Sequence, residues 1–276
     1  MTVLVPAKIN YRARIERAEL LAKRYPFAQE ILSFCARIAQ VQKECYENLQ
    51  GSSRIQTIVP DAVNPRSALN ATLLFEPFAA FLTVIEDKAP TPLAARAREW
   101  SRHNGAEWSE ILTEFWKKGL TAASGTDPLT EFLVRAFLQP YAEYVLGALS
   151  APLLAQTSLR CPRCDSLPLL GVLRPEGDGG KRFLLCSFCS QEWEFRRIFC
   201  ANCGEDKEQK LPVYVAEQFP HLRVECCDTC KYFLRTVDLT KDGHALPIVD
   251  DLAAIPLTLW ARKNAYTRIQ VNILGT

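Results

Sequence analysis

Cys161-Pro162-Arg163-Cys164, Cys186-Ser187-Phe188-Cys189, Cys200-Ala201-Asn202-Cys203 and Cys227-Asp228-Thr229-Cys230 place eight cysteines in four Cys-x-x-Cys turns. A tetrahedral cation held by thiolates needs four sulfurs, and a two-residue spacer lets one tight turn supply two of them. The eight therefore read as two complete four-cysteine sites. Twenty-one residues separate the first pair from the second and 23 the third from the fourth, with ten between the halves, so the region reads as a tandem. Four pairs combine in three ways; sequential pairing closes the shortest loops and is preferred. A thioredoxin-like dithiol needs a lone pair in a βαβ setting, whereas four pairs among hairpins point to metal. A tetrahedral four-sulfur site suits zinc and iron alike, and spacing does not separate them. Binding is expected to couple to folding, because four thiolates repel one another without a cation.

Outward from the cysteines the chain changes character. Over 18–150 the pattern is helical: Ile31, Phe34, Cys35, Ile38 and Val41 share one helix face, and Cys45 falls on the same side. Cys35 and Cys45 read as small packing hydrophobes. Further helices are expected over Leu73–Val84, Leu93–His103 and Trp108–Lys118. A last one starts at Asp127-Pro128, a good N-cap followed by a good first helical residue, and runs towards Leu149 with a bend at Pro140. In the cysteine region, Leu169–Leu173 and Arg182–Leu185 flank the loop Arg174–Gly180 and predict a hairpin. Val213–Ala216, Leu222–Glu225 and Tyr232–Leu239 predict the strands of a second, similar unit. From Leu246 a helix is expected again.

Composition narrows the function. At 276 residues and 48% hydrophobic, the chain has material for one large or two ordinary domains. Met1–Tyr11 lacks the form of a signal peptide, and no stretch approaches about 18 uninterrupted apolar residues. A cytoplasmic address is therefore expected, where paired cysteines bind metal rather than form disulfides. Nucleic-acid binding demands a basic face. Residues 161–239 hold 11 basic against 12 acidic side chains; eight thiolates and two divalent ions take that net charge of −1 to −5. His103, His221 and His244 are scattered and read as non-ligands. Asp250-Asp251 reads as a solvated helix N-terminus or, alternatively, as a partner contact. Cys226, beside Cys227, reads as a packed neighbour rather than a reserve ligand. No acid/base or nucleophile constellation appears, so a non-enzyme is expected.

The run Arg182–Gly204, with Trp193, Arg196 and Arg197 between the second and third pairs, resembles the FdhE family of formate dehydrogenase accessory proteins. So do Glu225-Cys226-Cys227-Asp228-Thr229-Cys230-Lys231-Tyr232 and Asp250-Asp251-Leu252-Ala253. Asp165, where that family usually has Gly, and Cys226 depart from its pattern. The resemblance implies a multi-domain α+β chain: a mainly α-helical N-terminal domain (1–158), two tandem rubredoxin-like (zinc-ribbon-like) four-cysteine subdomains (159–198 and 199–240) and a C-terminal helical segment (241–276). It implies that Cys161, Cys164, Cys186, Cys189, Cys200, Cys203, Cys227 and Cys230 are ligands of two metal ions, iron ahead of zinc. It also implies a cytoplasmic assembly factor that binds the catalytic subunit of respiratory formate dehydrogenase before export. Trp193, Arg196, Arg197, Asp250 and Asp251 become candidates for packing or partner contact. A rubredoxin-like electron-transfer protein is the alternative, and a zinc-ribbon nucleic-acid module ranks below both.

Overall fold

The helical patterning corresponds to six helices among the residues that the computed structural model describes, which are 4–5, 9–50, 66, 69–118, 127–148, 157–177 and 179–275. They are α1 (Tyr11–Arg24), α2 (Gln29–Gln50), α3 (Phe75–Lys88), α4 (Thr91–Trp100), α5 (Gly105–Lys118) and α6 (Pro128–Ala148). Asn10 caps α1 by accepting from the Ala13 N–H at 3.0 Å, so this helix begins ahead of the apolar periodicity that starts near residue 18. Asp127 caps α6 by accepting from the N–H groups of Leu129 and Thr130, both at 3.1 Å. Leu149, the expected end of that helix, lies outside the described residues.

Helix α6 continues through Pro140. Proline offers no N–H to the carbonyl four residues back, here that of the buried Ala136. Gln42 of α2 supplies the missing donor, its Nε2 lying 2.8 Å from that carbonyl oxygen. The defect in one helix thereby becomes a fixed contact with another.

Strands β2 (Pro168–Glu176) and β3 (Gly179–Cys186) form the first hairpin. They run further than their apolar stretches suggest: Arg174, Pro175 and Glu176 pair with Lys181, Gly180 and Gly179. The expected loop 174–180 thus shrinks to a turn at Gly177, with Asp178 outside the described residues. A short β4 (Glu192–Glu194) extends the sheet beside β3, and β1 (Leu4–Val5) pairs with β4. The second unit is the meander β5 (Val213–Val215), β6 (Leu222–Cys226) and β7 (Tyr232–Asp238).

The two units share one sheet. Parallel pairing of β2 with β7 aligns Gly171 with Thr236, Val172 with Val237 and Leu173 with Asp238. The strand order is β1-β4-β3-β2-β7-β6-β5, with β8 (Thr267–Arg268) also on β7. Gly171 makes this seam feasible, since a Cβ there would fall 2.2 Å from Thr236 Oγ1. After β7 come α7 (Pro247–Ala253) and α8 (Ile255–Lys263), two short helices where one was expected. The chain breaks at Ala254, ahead of Pro256, and the Ala254 carbonyl accepts from Arg235 Nη1 at 2.7 Å.

Both faces of the central strands β2, β3 and β7 are buried. Leu184 and Trp193 join Phe78, Phe81, Trp116 and Phe137 in one core, which also contains the sulfurs of the first two Cys pairs. Phe183, Leu185, Val172 and Val237 face the other way, towards Leu21, Leu32 and Leu252. The N-terminal helices are therefore a platform for the sheet. None of the described helices is long and apolar enough to cross a membrane.

Gly171→Ala is expected to destabilise the protein by about 1–3 kcal/mol through overpacking. Adding Thr236→Ala should restore part of that loss in thermal melts, because it removes the hydroxyl the new methyl meets.

Candidate metal centres

Each Cys-x-x-Cys turn is built the same way. The N–H of the first cysteine donates to the carbonyl five residues on, as in Cys161 to Ser166 (2.9 Å), Cys186 to Gln191 (2.9 Å), Cys200 to Glu205 (2.8 Å) and Cys227 to Tyr232 (2.9 Å). The residue after the second cysteine is left-handed in all four: Asp165 (φ 56°), Ser190 (φ 55°), Gly204 (φ 79°) and Lys231 (φ 60°). Only Gly204 adopts this region at no steric cost. Asp165, the departure from the family's glycine, and Lys231, the least suitable of the four by residue type, adopt it nonetheless. Local N–H groups point at sulfur, as Phe188 N does to Cys186 Sγ and Asn202 N to Cys200 Sγ, both at 3.4 Å.

The turns meet in sequential pairs, as the loop-closure argument prefers. In the first quartet Sγ–Sγ distances are 3.7 Å (Cys161–Cys189), 3.4 Å (Cys164–Cys186) and 3.6 Å (Cys164–Cys189). In the second they are 3.8 Å (Cys200–Cys230) and 3.7 Å (Cys203–Cys227). Four sulfurs around a cation at about 2.3 Å stand about 3.8 Å apart in a tetrahedron. All eight are free thiols rather than disulfides, and the donor set fits a tetrahedral thiolate metal at both places. Charge supports the same conclusion. Burial, with the neighbouring sulfurs, pushes Cys186 and Cys189 well above the ordinary thiol value. Against its own burial, hydrogen bonds from the other three sulfurs hold Cys164 well below it. Such a group cannot ionise fully by itself, so metal binding must displace protons.

The quartets differ in setting. Cys161, Cys164, Cys186 and Cys189 are all buried, whereas Cys203 is exposed and Cys230 half-buried. The first quartet is tied to the helices. Ser190 Oγ donates to Glu143 of α6 at 2.6 Å, and Arg163 Nη1 donates to the Leu146 carbonyl at 2.9 Å. Glu143 also accepts from Tyr11 Oη (2.6 Å) and binds Arg14 of α1. Glu143 was not visible as a candidate in the sequence, because its partners come from residues far along the chain.

The remaining candidates separate into interior and surface. Trp193 is fully buried, with Nε1 donating to the Ser158 carbonyl at 3.0 Å, so its role is packing. Arg196 and Arg197 are exposed; Arg196 lies 3.7 Å from Asp206 and over the Phe199 ring. Cys226 points from β6 into the second core, and burial raises its thiol to about 12. Burial likewise raises Cys35 to about 12 and Cys45 to about 11, as inert packing thiols.

Asp250 and Asp251 are neither a solvated helix start nor a partner surface, being 1% and 0% exposed. Asp250 receives Arg17 of α1 through Nε at 2.9 Å and Nη2 at 2.5 Å, and lies 2.9 Å from His221 Nε2. Asp251 faces the other way, to Arg235 of β7 (2.7 Å) and Arg268 of β8 (2.8 Å). A helix N-terminus that is acidic for dipole reasons has no need of these partners; here the arginines draw the acids inside. His221, Asp242 and Asp250 converge closely enough to suggest a third metal group. Arg17 already bridges both carboxylates, with Nη2 also 2.9 Å from Asp242 Oδ2, and this supplies the positive charge a cation would bring.

A helical platform carrying two four-cysteine modules on one sheet defines a class of thiolate-metal protein. Comparison with known proteins specifies it further. The FdhE central domain matches residues 160–197 and the FdhE C-terminal domain residues 198–274. A protein FdhE homolog of Aquifex aeolicus is 23% identical over 270 residues, covering 95% of this chain and 94% of the relative. One from Haemophilus influenzae is 25% identical, covering 95% and 87%. The crystal structure of the FdhE protein from Pseudomonas aeruginosa superposes with a TM-score of 0.76 over 99% of this chain and 98% of that one, at 23% identity, and has the same fold. Residues 160–274 are thus similar to the central and C-terminal domains of FdhE, and the relatives extend that similarity along nearly the whole chain.

Asp251 and Glu225 couple stability to acid pH. Burial opposes ionisation of Asp251, but Arg235 and Arg268 hold its carboxyl below the ordinary value. Burial also opposes ionisation of Glu225, which Arg182 and Arg223 hold below it. Depressed carboxyls stabilise the fold above their unfolded values of about 4, and the contribution is lost as pH falls through the folded values. Asp251→Asn is expected to cost about 3–5 kcal/mol at neutral pH by leaving two buried arginines uncompensated. Melting curves of variant and wild type should converge as pH drops below about 4.

Proposed function

We propose that this chain is a non-catalytic accessory factor in the formation of formate dehydrogenase, acting in the cytoplasm by binding the enzyme's catalytic subunit. The observation that carries this reading is the pairing of two ligand-spaced sulfur quartets with domains of the FdhE type. Two metal ions, iron ahead of zinc, keep the modules folded and present their surface to the client.

Strand β5 supplies a surface suited to that task. Among the described residues it lies at the end of the sheet, with β6 on one side only. Cys226 N donates to the Pro212 carbonyl and Asp228 N to that of Lys210, so even-numbered positions face β6. The backbone N–H and C=O groups of Val213 and Val215 therefore face outward. Their side chains are 52% and 67% exposed. An open apolar edge is a template for an extended segment of another chain. Tyr214 packs inward on Trp260, their rings 4.5 Å apart, and keeps the strand in place.

A rubredoxin-like electron-transfer protein is the second reading, favoured by the exposure of Cys203 in the second quartet. It requires a reversible Fe3+/Fe2+ couple with a thiolate absorption band, and a colourless zinc protein would remove it.

Tagged protein from anaerobic cells is expected to retrieve a formate dehydrogenase catalytic subunit. Failure to do so, with formate oxidation intact after gene deletion, contradicts the reading. Val215→Pro should leave thermal stability unchanged, since its N–H lies outside the β6 ladder. It should weaken retrieval several-fold, as expected for one lost hydrogen bond worth about 1 kcal/mol.

A further inference from the structure

The two quartets share their ligands and turns but not their access to solvent. All four sulfurs of the first are buried in the core between sheet and helices. Phe188, inside its second turn, stacks edge-on against Trp116 of α5 at 5.4 Å, and the Arg66 guanidinium covers the Phe188 ring at 4.7 Å. Arg66 Nη1 also donates to Ser166 Oγ at 3.1 Å, at the end of the first turn. With Ser190 on Glu143 and Arg163 on the Leu146 carbonyl, both turns are fastened to helices. Opening this quartet means separating the sheet from its platform.

Among the described residues, the second quartet is less covered than the first. Cys203 is exposed and Cys230 half-buried, and the residues around them, Glu205, Thr229 and Lys231, face solvent or are only partly covered. At the surface, Thr229 Oγ1 of one turn donates to Glu205 Oε2 beside the other at 2.6 Å. Below them, Asp228 accepts from Tyr266 Oη at 2.8 Å. Local opening here breaks few contacts, and regions with few buried contacts open far more often than the core.

We propose that the second quartet is a metal-exchanging centre entered at Cys203, while the first is a closed structural centre. The exchanging ligand is a thiol, either on a small molecule or on a partner protein. The step is a substitution without electron transfer. The incoming sulfur takes the coordination position that Cys203 leaves, and the proton of the incoming thiol passes to the Cys203 sulfur. The inference rests on the metal reading of the quartets given above.

The test uses the full chain carrying two equivalents of zinc(II), challenged at neutral pH with excess chromophoric chelator, with and without a small dithiol. One equivalent is expected to leave at least about tenfold faster than the other, and the dithiol should accelerate only that phase. Alkylation during the first phase, mapped by mass spectrometry, should modify Cys200, Cys203, Cys227 and Cys230 while Cys161, Cys164, Cys186 and Cys189 stay protected. Release in a single phase, or labelling of the first quartet in the fast phase, overturns the inference alone. A starting content below two equivalents contradicts the metal reading and removes the inference with it.

Discussion

Four sulfurs standing 3.4–3.7 Å apart in a dry interior are a charge problem before they are anything else. As thiolates they repel, and burial holds Cys186 and Cys189 in the thiol form. A divalent cation resolves this, and its binding energy becomes folding energy. The first quartet is also where the parts of the molecule meet. Its first turn leads into β2 and its second joins β3 to β4, Phe188 packs on α5, and Ser190 reaches Glu143, which collects Tyr11 and Arg14 from α1. Helices and sheet are thus arranged around one coordination sphere. The second quartet repeats the chemistry, with its fourth turn between β6 and β7 of the same sheet.

What joins the second module to the helices is the adjacent pair Asp250-Asp251. One carboxylate binds Arg17 of α1, the other Arg235 and Arg268 of the sheet. Three arginines face Asp242, Asp250 and Asp251, so the buried assembly balances. Breaking it from one side would strand charge in the core, which costs far more than the intact pairs contribute. At the seam, Arg182 of β3 binds Glu225 of β6 at 2.5 Å and donates to the carbonyls of Arg196 and Phe199 in the linker. Arg182 and Arg235 are thereby turned inward, while Arg196 and Arg197 stay exposed.

Local features of the chain were legible from the sequence, and long-range ones were not. Spacing alone located the four turns and favoured, without deciding, the sequential pairing that the structure shows, because both depend on short loops. Helix α6 could be placed from Asp127-Pro128, and β6 and β7 from apolar runs. The parallel seam at Gly171 and Thr236, the strands β1, β4 and β8, and the bond from Gln42 that offsets Pro140 have no local signature. Asp250-Asp251 was noticed but misplaced, since an acidic pair at a helix start looks alike whether solvent or arginines surround it. Lys231 shows the same limit in reverse: its residue type argues against the left-handed turn that the ladder around Cys227 imposes.

X-ray absorption at the metal edge, on protein isolated without oxygen and with metal content measured in parallel, tests the coordination directly. Two ions per chain, each with four sulfurs at about 2.3 Å and no nitrogen or oxygen neighbour, are expected. Mixed coordination including histidine or carboxylate, or a sulfur–sulfur distance near about 2.05 Å from disulfides, would contradict the two four-cysteine centres on which the fold is built.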